Sequence, residues 1–172
     1  MASSFPMKPP QSAEPSSPTT QTEFLAVEQT SWRALSALWR GLPDEVLLRA
    51  GACGSLWSVK DVLNHIASWQ EAAQRVINDL LADRWGRLGA NTDKFNAQNF
   101  AADRDRPLAA TRRRLTHSRR ELLALLTTAP EKGLLNIYGR QQIGWWAKYS
   151  TYGHYREHVQ ALQDFRQKVK SK

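Results

Sequence analysis

The chain has 172 residues, 41% of them hydrophobic, with a single cysteine and a formal net charge of +8. That length suffices for one domain with a sizeable core, and a lone Cys53 excludes an intramolecular disulfide and fits a reducing compartment. No stretch approaches the ~20 apolar residues of a membrane span, and the opening has neither the apolar run of a secretory signal nor the arginines of an organelle transit peptide, so the cytoplasm is the expected location.

Residues 1–22 hold five of the eight prolines (Pro6, Pro9, Pro10, Pro15, Pro18) among many Ser and Thr. Such a composition cannot bury enough apolar surface to offset its ordering entropy, so a disordered tail over 1–22 and a folded unit over 23–170 are expected. From Thr22 to Leu42, Phe24, Leu25, Glu28, Trp32, Leu35, Leu38 and Trp39 recur at threes and fours, which predicts a first helix closed by Gly41 and Pro43. Gly51 and Gly54 mark a turn-rich link in which Cys53 is a small buried residue. Ser58 with Asp61 three residues later is a capping-box variant, Asp replacing the usual Glu or Gln. Helix two follows over about Val59 to Arg84, with Val62, Ile66, Trp69, Ala73, Val76, Ile77 and Leu80 on one face.

Residues 85–106 form a long polar connection containing a short helix from Thr92 to Ala101. Pro107 suits a first helical turn, and helix three continues to about Thr128 on a stripe of Leu108, Leu115, Leu122 and Leu126. Pro130 and Gly133 break it, and Leu134–Tyr138 is the one run with strand character. Helix four spans Gln141 to Lys168. Four amphipathic helices with one long connection between the second and third predict an all-α four-helix bundle.

The last helix carries the chemistry. Its inward stripe collects Ile143, Ala147, Thr151, His154, His158, Ala161, Leu162, Phe165 and Val169, so both histidines of HYREH (154–158) point into the bundle. His65 sits at the edge of the apolar face of helix two, one turn from Trp69. A buried neutral imidazole must satisfy both ring nitrogens. Two at i, i+4 on one core face and a third on another helix bring imidazole nitrogens within reach of one ion. Three histidines and an open fourth position describe a catalytic rather than a structural metal site; hydrogen-bonded core histidines are the alternative. His117 lies on the polar side of helix three and is left out.

HYREH also matches the inverted zincin motif His-x-x-Glu-His, in which the glutamate is the general base. That chemistry needs a further protein ligand downstream, and the 14 residues after His158 offer only Asp164, off the stripe. The peptidase reading is therefore set aside. The positive charge concentrates between Arg104 and Arg120, where seven arginines lie, and in Lys168, Lys170 and Lys172. Spread around helix three with snorkelling stems and no accompanying motif, they describe a solvated face, and nucleic acid is not the expected partner.

Three segments resemble the DinB/YfiT-like family of metal-binding four-helix bundles: WSVKDVLNHIASWQE (57–71), the connection containing DKFN (93–96), and TYGHYREHVQAL (151–162). The likeness spans about Phe24 to Arg166. It implies that His65, His154 and His158 ligate a divalent ion, zinc or nickel, with water completing the coordination. It further implies kinship with thiol-dependent transferases and isomerases, so a low-molecular-weight thiol joins the expected cofactors. The function expected is that of a metal-dependent enzyme activating a thiol or water for S-transfer, isomerisation or hydrolysis of a small-molecule substrate. A non-catalytic protein that sequesters a reactive small molecule is the alternative, and a nucleic-acid-binding module on helix three is the lesser one; a homodimer is allowed. Trp69, Trp145, Trp146 and Tyr149 are the candidate pocket aromatics, and Asp61 and Glu157 the candidate carboxylates to orient imidazoles.

Overall fold

A computed structural model describes residues 17–86, 88–89 and 91–171 of the chain. Residues 1–16 of the expected tail therefore lie outside the described residues. The remainder of that stretch belongs to the fold. Helix α1 (Gln21–Trp39) starts on Thr20, whose side chain accepts from the Glu23 N–H, while Glu23 Oε2 accepts from the backbone N–H and hydroxyl of Thr19 at 2.8 and 2.7 Å. Gln21 then reaches across the bundle and donates from Nε2 to the carbonyls of Leu126, Thr127 and Ala129. Those are carbonyls at a helix end, which have no partner within their own helix. Gln21→Ala should lower unfolding free energy by about 1 kcal/mol in chemical denaturation. An unchanged midpoint would mean that water serves those carbonyls equally well.

After α1 come a single turn, α2 (Asp44–Leu47), and a short antiparallel hairpin, β1 (Ala50–Cys53) with β2 (Trp57–Ser58). The hairpin replaces the irregular link expected from Gly51 and Gly54. Both glycines have positive φ, +104° and +64°, which side-chain-bearing residues rarely adopt and which lets the chain reverse here. Cys53 is buried in β1, and burial pushes its thiol pKa up, away from the reactive thiolate. Helix α3 (Val59–Leu81) opens on the predicted capping box: Asp61 N–H donates to Ser58, and Ser58 N–H donates back to Asp61 at 2.9 Å. Helix α4 (Thr92–Asp103) confirms the short helix in the long connection, and α5 (Leu108–Thr128) follows Pro107.

Two further differences from expectation have local causes. The Leu134–Tyr138 run is no strand: α6 (Glu131–Leu135) starts on Pro130, whose fixed φ suits a helix start, and buries Leu134 in the core. The fourth helix is broken into α7 (Ile143–Ser150) and α8 (Tyr152–Lys170) at Thr151, with φ −128° and ψ −120°. There the Thr151 hydroxyl donates to Ala147 O at 2.6 Å, and a Cβ on Gly153 would lie 2.9 Å from Lys148 O. A side chain bonding back into the preceding turn is a known cause of a kink. Gly144 is needed for a different reason: any Cβ there would collide with the backbone oxygens of Leu134 and Asn136, against which α7 packs.

Pairings between helices fix their directions. Phe24 meets Tyr152 at 5.2 Å and Arg166 donates to Ala37 O, so α1 and α8 run parallel. Asn64 meets Thr111 and Gln74 meets Ser118 O, so α3 and α5 run parallel as well. Glu28 meets Arg119 and Gln21 meets Leu126 O, so α1 opposes α5. The long connection is what permits this, because a short loop would force α5 antiparallel to α3. Two apolar clusters fill the bundle: one around Leu35, Val59, Leu63, Leu115 and Leu162, the other around Phe24, Ile77, Leu122, Leu126 and Trp146. No helix among the described residues is long and apolar enough to cross a membrane.

Candidate metal centre

Three elements bring the histidines together. His65 lies less than two turns into α3, where the Ser58–Asp61 box sets the phase of the helix. His154 and His158 lie in the first two turns of α8, re-aimed by the break at Thr151, and are only 5% and 7% exposed. His154 Nε2 stands 2.9 Å from His65 Nε2 and 3.1 Å from His158 Nε2. The ligand atoms of all three lie within 4.8 Å of one another.

This convergence is awkward for a purely hydrogen-bonded cluster. A neutral imidazole carries one N–H and one lone pair. His154 Nε2 faces two other Nε2 atoms and, as donor or as acceptor, completes a hydrogen bond with only one of them. A cation among the Nε2 atoms takes all three lone pairs at once, and four-coordinate ligation at about 2.1 Å sets nitrogens roughly 3.4 Å apart, near the two separations about His154 Nε2. Three histidines so placed can hold a metal ion. Their protonation state suits it. Burial, then the neighbouring His158, holds His65 well below the ordinary imidazole range. Burial, then His65 and His158, does the same to His154, and burial lowers His158 to about 4. All three are neutral at pH 7, as ligation requires.

Aromatic rings enclose His65. Trp57, delivered by β2, meets it edge-on at 5.1 Å, and Trp69 does so at 6.4 Å. Helix α4 covers both: Phe100 stacks on Trp57 at 5.4 Å, Phe95 packs on Trp69 at 4.7 Å, and Trp69 Nε1 donates to Asn96 Oδ1 at 3.0 Å. The DKFN segment thus serves the site through Phe95 and Asn96. A cleft between α3 and α4 opens beside His65, with Asn64, Asn99 and Asp103 also on its walls.

Other candidates fall elsewhere. Trp145 contacts both Trp146 and Tyr149, Trp146 donates to Arg140 O, and the two tryptophans belong to the second apolar cluster. Asp61 spends one oxygen on the Ser58 cap, and Glu157 is exposed. His117 is exposed beside Arg120 and Glu121, as its polar-side position predicted. Trp57 and Phe100 were not foreseen as walls; only Trp57's place directly before the helix cap pointed that way. Of the seven arginines from Arg104 to Arg120, five pair with carboxylates. Arg119 and Arg114 are exceptions to the solvated-face expectation: Arg119 binds the buried Glu28 through two bonds of 2.8 and 2.6 Å, and Arg114 binds Glu71 and the buried Asp103.

Solved structures share this fold. A crystal structure of an uncharacterised protein from Escherichia coli UTI89 superposes with a TM-score of 0.76 at 13% identity, covering 89% of this chain and 96% of that one. Sibling Lethal Factor Precursor DfsB gives 0.74 at 14% identity, covering 88% and 98%. The colibactin self-resistance protein ClbS, solved in complex with a dsDNA, gives 0.74 at 13% identity, covering 87% and 97%. Identities so low establish the fold alone. No curated protein matches the sequence. A sequence model of the DinB superfamily matches residues 29–162, from mid-α1 through both histidines of α8, and over that span the chain belongs to the DinB superfamily.

Proposed function

We propose that His65, His154 and His158 bind one divalent ion and that the centre serves a small-molecule reaction, thiol transfer, isomerisation or hydrolysis. The observation that carries this reading is the meeting of three neutral imidazoles at their Nε2 atoms, with His154 Nε2 facing two others at 2.9 and 3.1 Å and able to hydrogen-bond to only one. Zinc or nickel bound there supplies the positive charge that keeps a thiol or a water deprotonated near neutral pH. The chain's own residues do the rest. The imidazoles stay neutral because burial disfavours their charged forms. Trp57 and Trp69 pack edge-on against the His65 ring, and α4 limits approach to the cleft on which that ring opens.

Elemental analysis of tag-free protein tests the centre. Wild type should carry about one ion per chain, and each single alanine variant at the three histidines should lose most of it, by roughly 10-fold or more in affinity. Wild-type stoichiometry in any variant removes that residue from the set. A sulfur-to-metal charge-transfer band on adding a thiol to the cobalt(II) form favours transfer or isomerisation; turnover of an ester or amide without the band favours hydrolysis. Stoichiometric binding without turnover favours sequestration.

DNA is a second reading. A protein of the same fold is named for self-resistance and was solved with dsDNA, and this chain carries +8. Arg104 and Arg113 are exposed and form no ion pair among the described residues. Binding to duplex DNA whose affinity falls linearly in log–log with salt supports this reading; no retention at low salt excludes it.

A further inference from the structure

We infer that the cleft between α3 and α4 is a binding subsite that takes a hydrogen-bond-donating group, an ammonium or a hydroxyl, of a small molecule held beside the histidines. It rests on the metal-centre reading only for which end of that molecule faces His65.

The inference comes from the hydrogen-bonding capacity left over on the cleft walls. Asn64 is 2% exposed, and its Nδ2 donates to Thr111 Oγ1 at 3.0 Å. That amide orientation is assigned from the network: the Thr111 hydroxyl proton goes to Pro107 O at 3.3 Å, so its oxygen accepts from Asn64. Asn64 Oδ1 is therefore a buried acceptor, and it has no partner among the described residues. Asn99 repeats the pattern: Nδ2 donates to Phe95 O at 2.8 Å, which leaves its Oδ1 as the spare group. Asp61 takes both Ser58 bonds on Oδ2, leaving Oδ1. Asp103 offers nothing, since Arg106 and Arg114 occupy its two oxygens.

The spare capacity is therefore mostly acceptor: two amide oxygens and one carboxylate oxygen, against the free Nδ2 of Asn96, whose Oδ1 is held by Trp69. A buried acceptor is met by a donor, and the Asp61 charge adds a preference for a cationic one. The stacked Trp57 and Phe100 rings give the ligand's carbon skeleton an apolar wall. A ligand ending in a carboxylate or phosphate would face these oxygens and be rejected.

The test uses the full chain loaded with cobalt(II) and three thiols of similar size: cysteamine, 2-mercaptoethanol and ethanethiol. Calorimetric affinities are measured beside cobalt content. Cysteamine and 2-mercaptoethanol should bind roughly tenfold more tightly than ethanethiol. Asn64→Ala should abolish that preference while cobalt content stays at the wild-type level. Asn99→Ala, on the outer helix, should weaken it without disturbing the core and serves if the Asn64 variant does not fold. The same titrations on the metal-free chain separate the two readings: a donor preference there supports the subsite even if wild type holds no ion. Equal affinities for the three thiols, or binding of none of them in either form, overturns the proposal.

Discussion

Glu28→Ala is expected to lower unfolding free energy by about 3–5 kcal/mol, the usual cost of removing one member of a buried ion pair. Glu28 is 1% exposed and accepts from Arg119 through both oxygens and from the Tyr155 hydroxyl at 3.1 Å. Tyr155 in turn accepts from Gln70, and Gln70 Oε1 accepts from Ser118, so the network ties α1, α3, α5 and α8 together. Without Glu28 the Arg119 guanidinium, stacked on Trp32 at 4.8 Å, is left largely buried and unpaired. The Tyr155 hydroxyl keeps Gln70 as a donor but loses its acceptor. Tyr155 directly follows His154, so the same change should loosen α8 at the histidines. The control is Arg112→Ala, which breaks an exposed pair with Asp44 and should cost no more than about 1 kcal/mol. Equal, small effects in urea denaturation of both variants would show that the buried network contributes nothing beyond a surface pair.

Acid should destabilise the protein well above the pH at which carboxylates titrate. The three site histidines all have pKa values lowered by burial, that of His158 to about 4, whereas an unfolded imidazole titrates near 6.5. Between those values the unfolded chain binds protons that the folded chain refuses, so stability is complete above pH 6.5 and falls as pH drops towards 4. For His158 alone the full loss is on the order of 3 kcal/mol. In the metal-loaded protein the loss should be steeper, because protons then also compete with the ion for Nε2. Denaturation of metal-free protein at intervals from pH 7.5 to 5 reads the slope before ordinary carboxylates respond. His158→Asn should flatten it. A level profile from pH 7 to 5 in wild type would mean that the histidines protonate in place and are not held neutral by burial.

Much of the fold was legible because its signals are local. The threefold and fourfold recurrence of apolar residues located the bundle helices, Ser58 and Asp61 marked the start of α3, and Pro107 marked the start of α5. The inward phase of His154 and His158 follows from the same periodicity, which is why both are buried. The local signals misled where a single turn decides: Leu134–Tyr138 has strand composition, but Pro130 and the packing of Leu134 make its first part helical. In the fourth helix the periodic pattern runs straight through Thr151, and only a hydroxyl bonding back to Ala147 O breaks it.

What the sequence alone determined is therefore the helical class, the apolar faces, and the presence of three histidines on two of those faces. Tertiary structure decided the rest. That α3 and α5 run parallel, that α4 lies over Trp57 and Trp69, and that Nε2 atoms 89 residues apart meet at 2.9 Å are all choices between partners distant in sequence. The same holds for Arg119, which reads as a solvated arginine until Glu28, 91 residues away, is packed against it. Helical periodicity and capping act within one or two turns and leave a trace in neighbouring residues. Which faces meet depends on how whole elements fill the core and satisfy its buried polar groups.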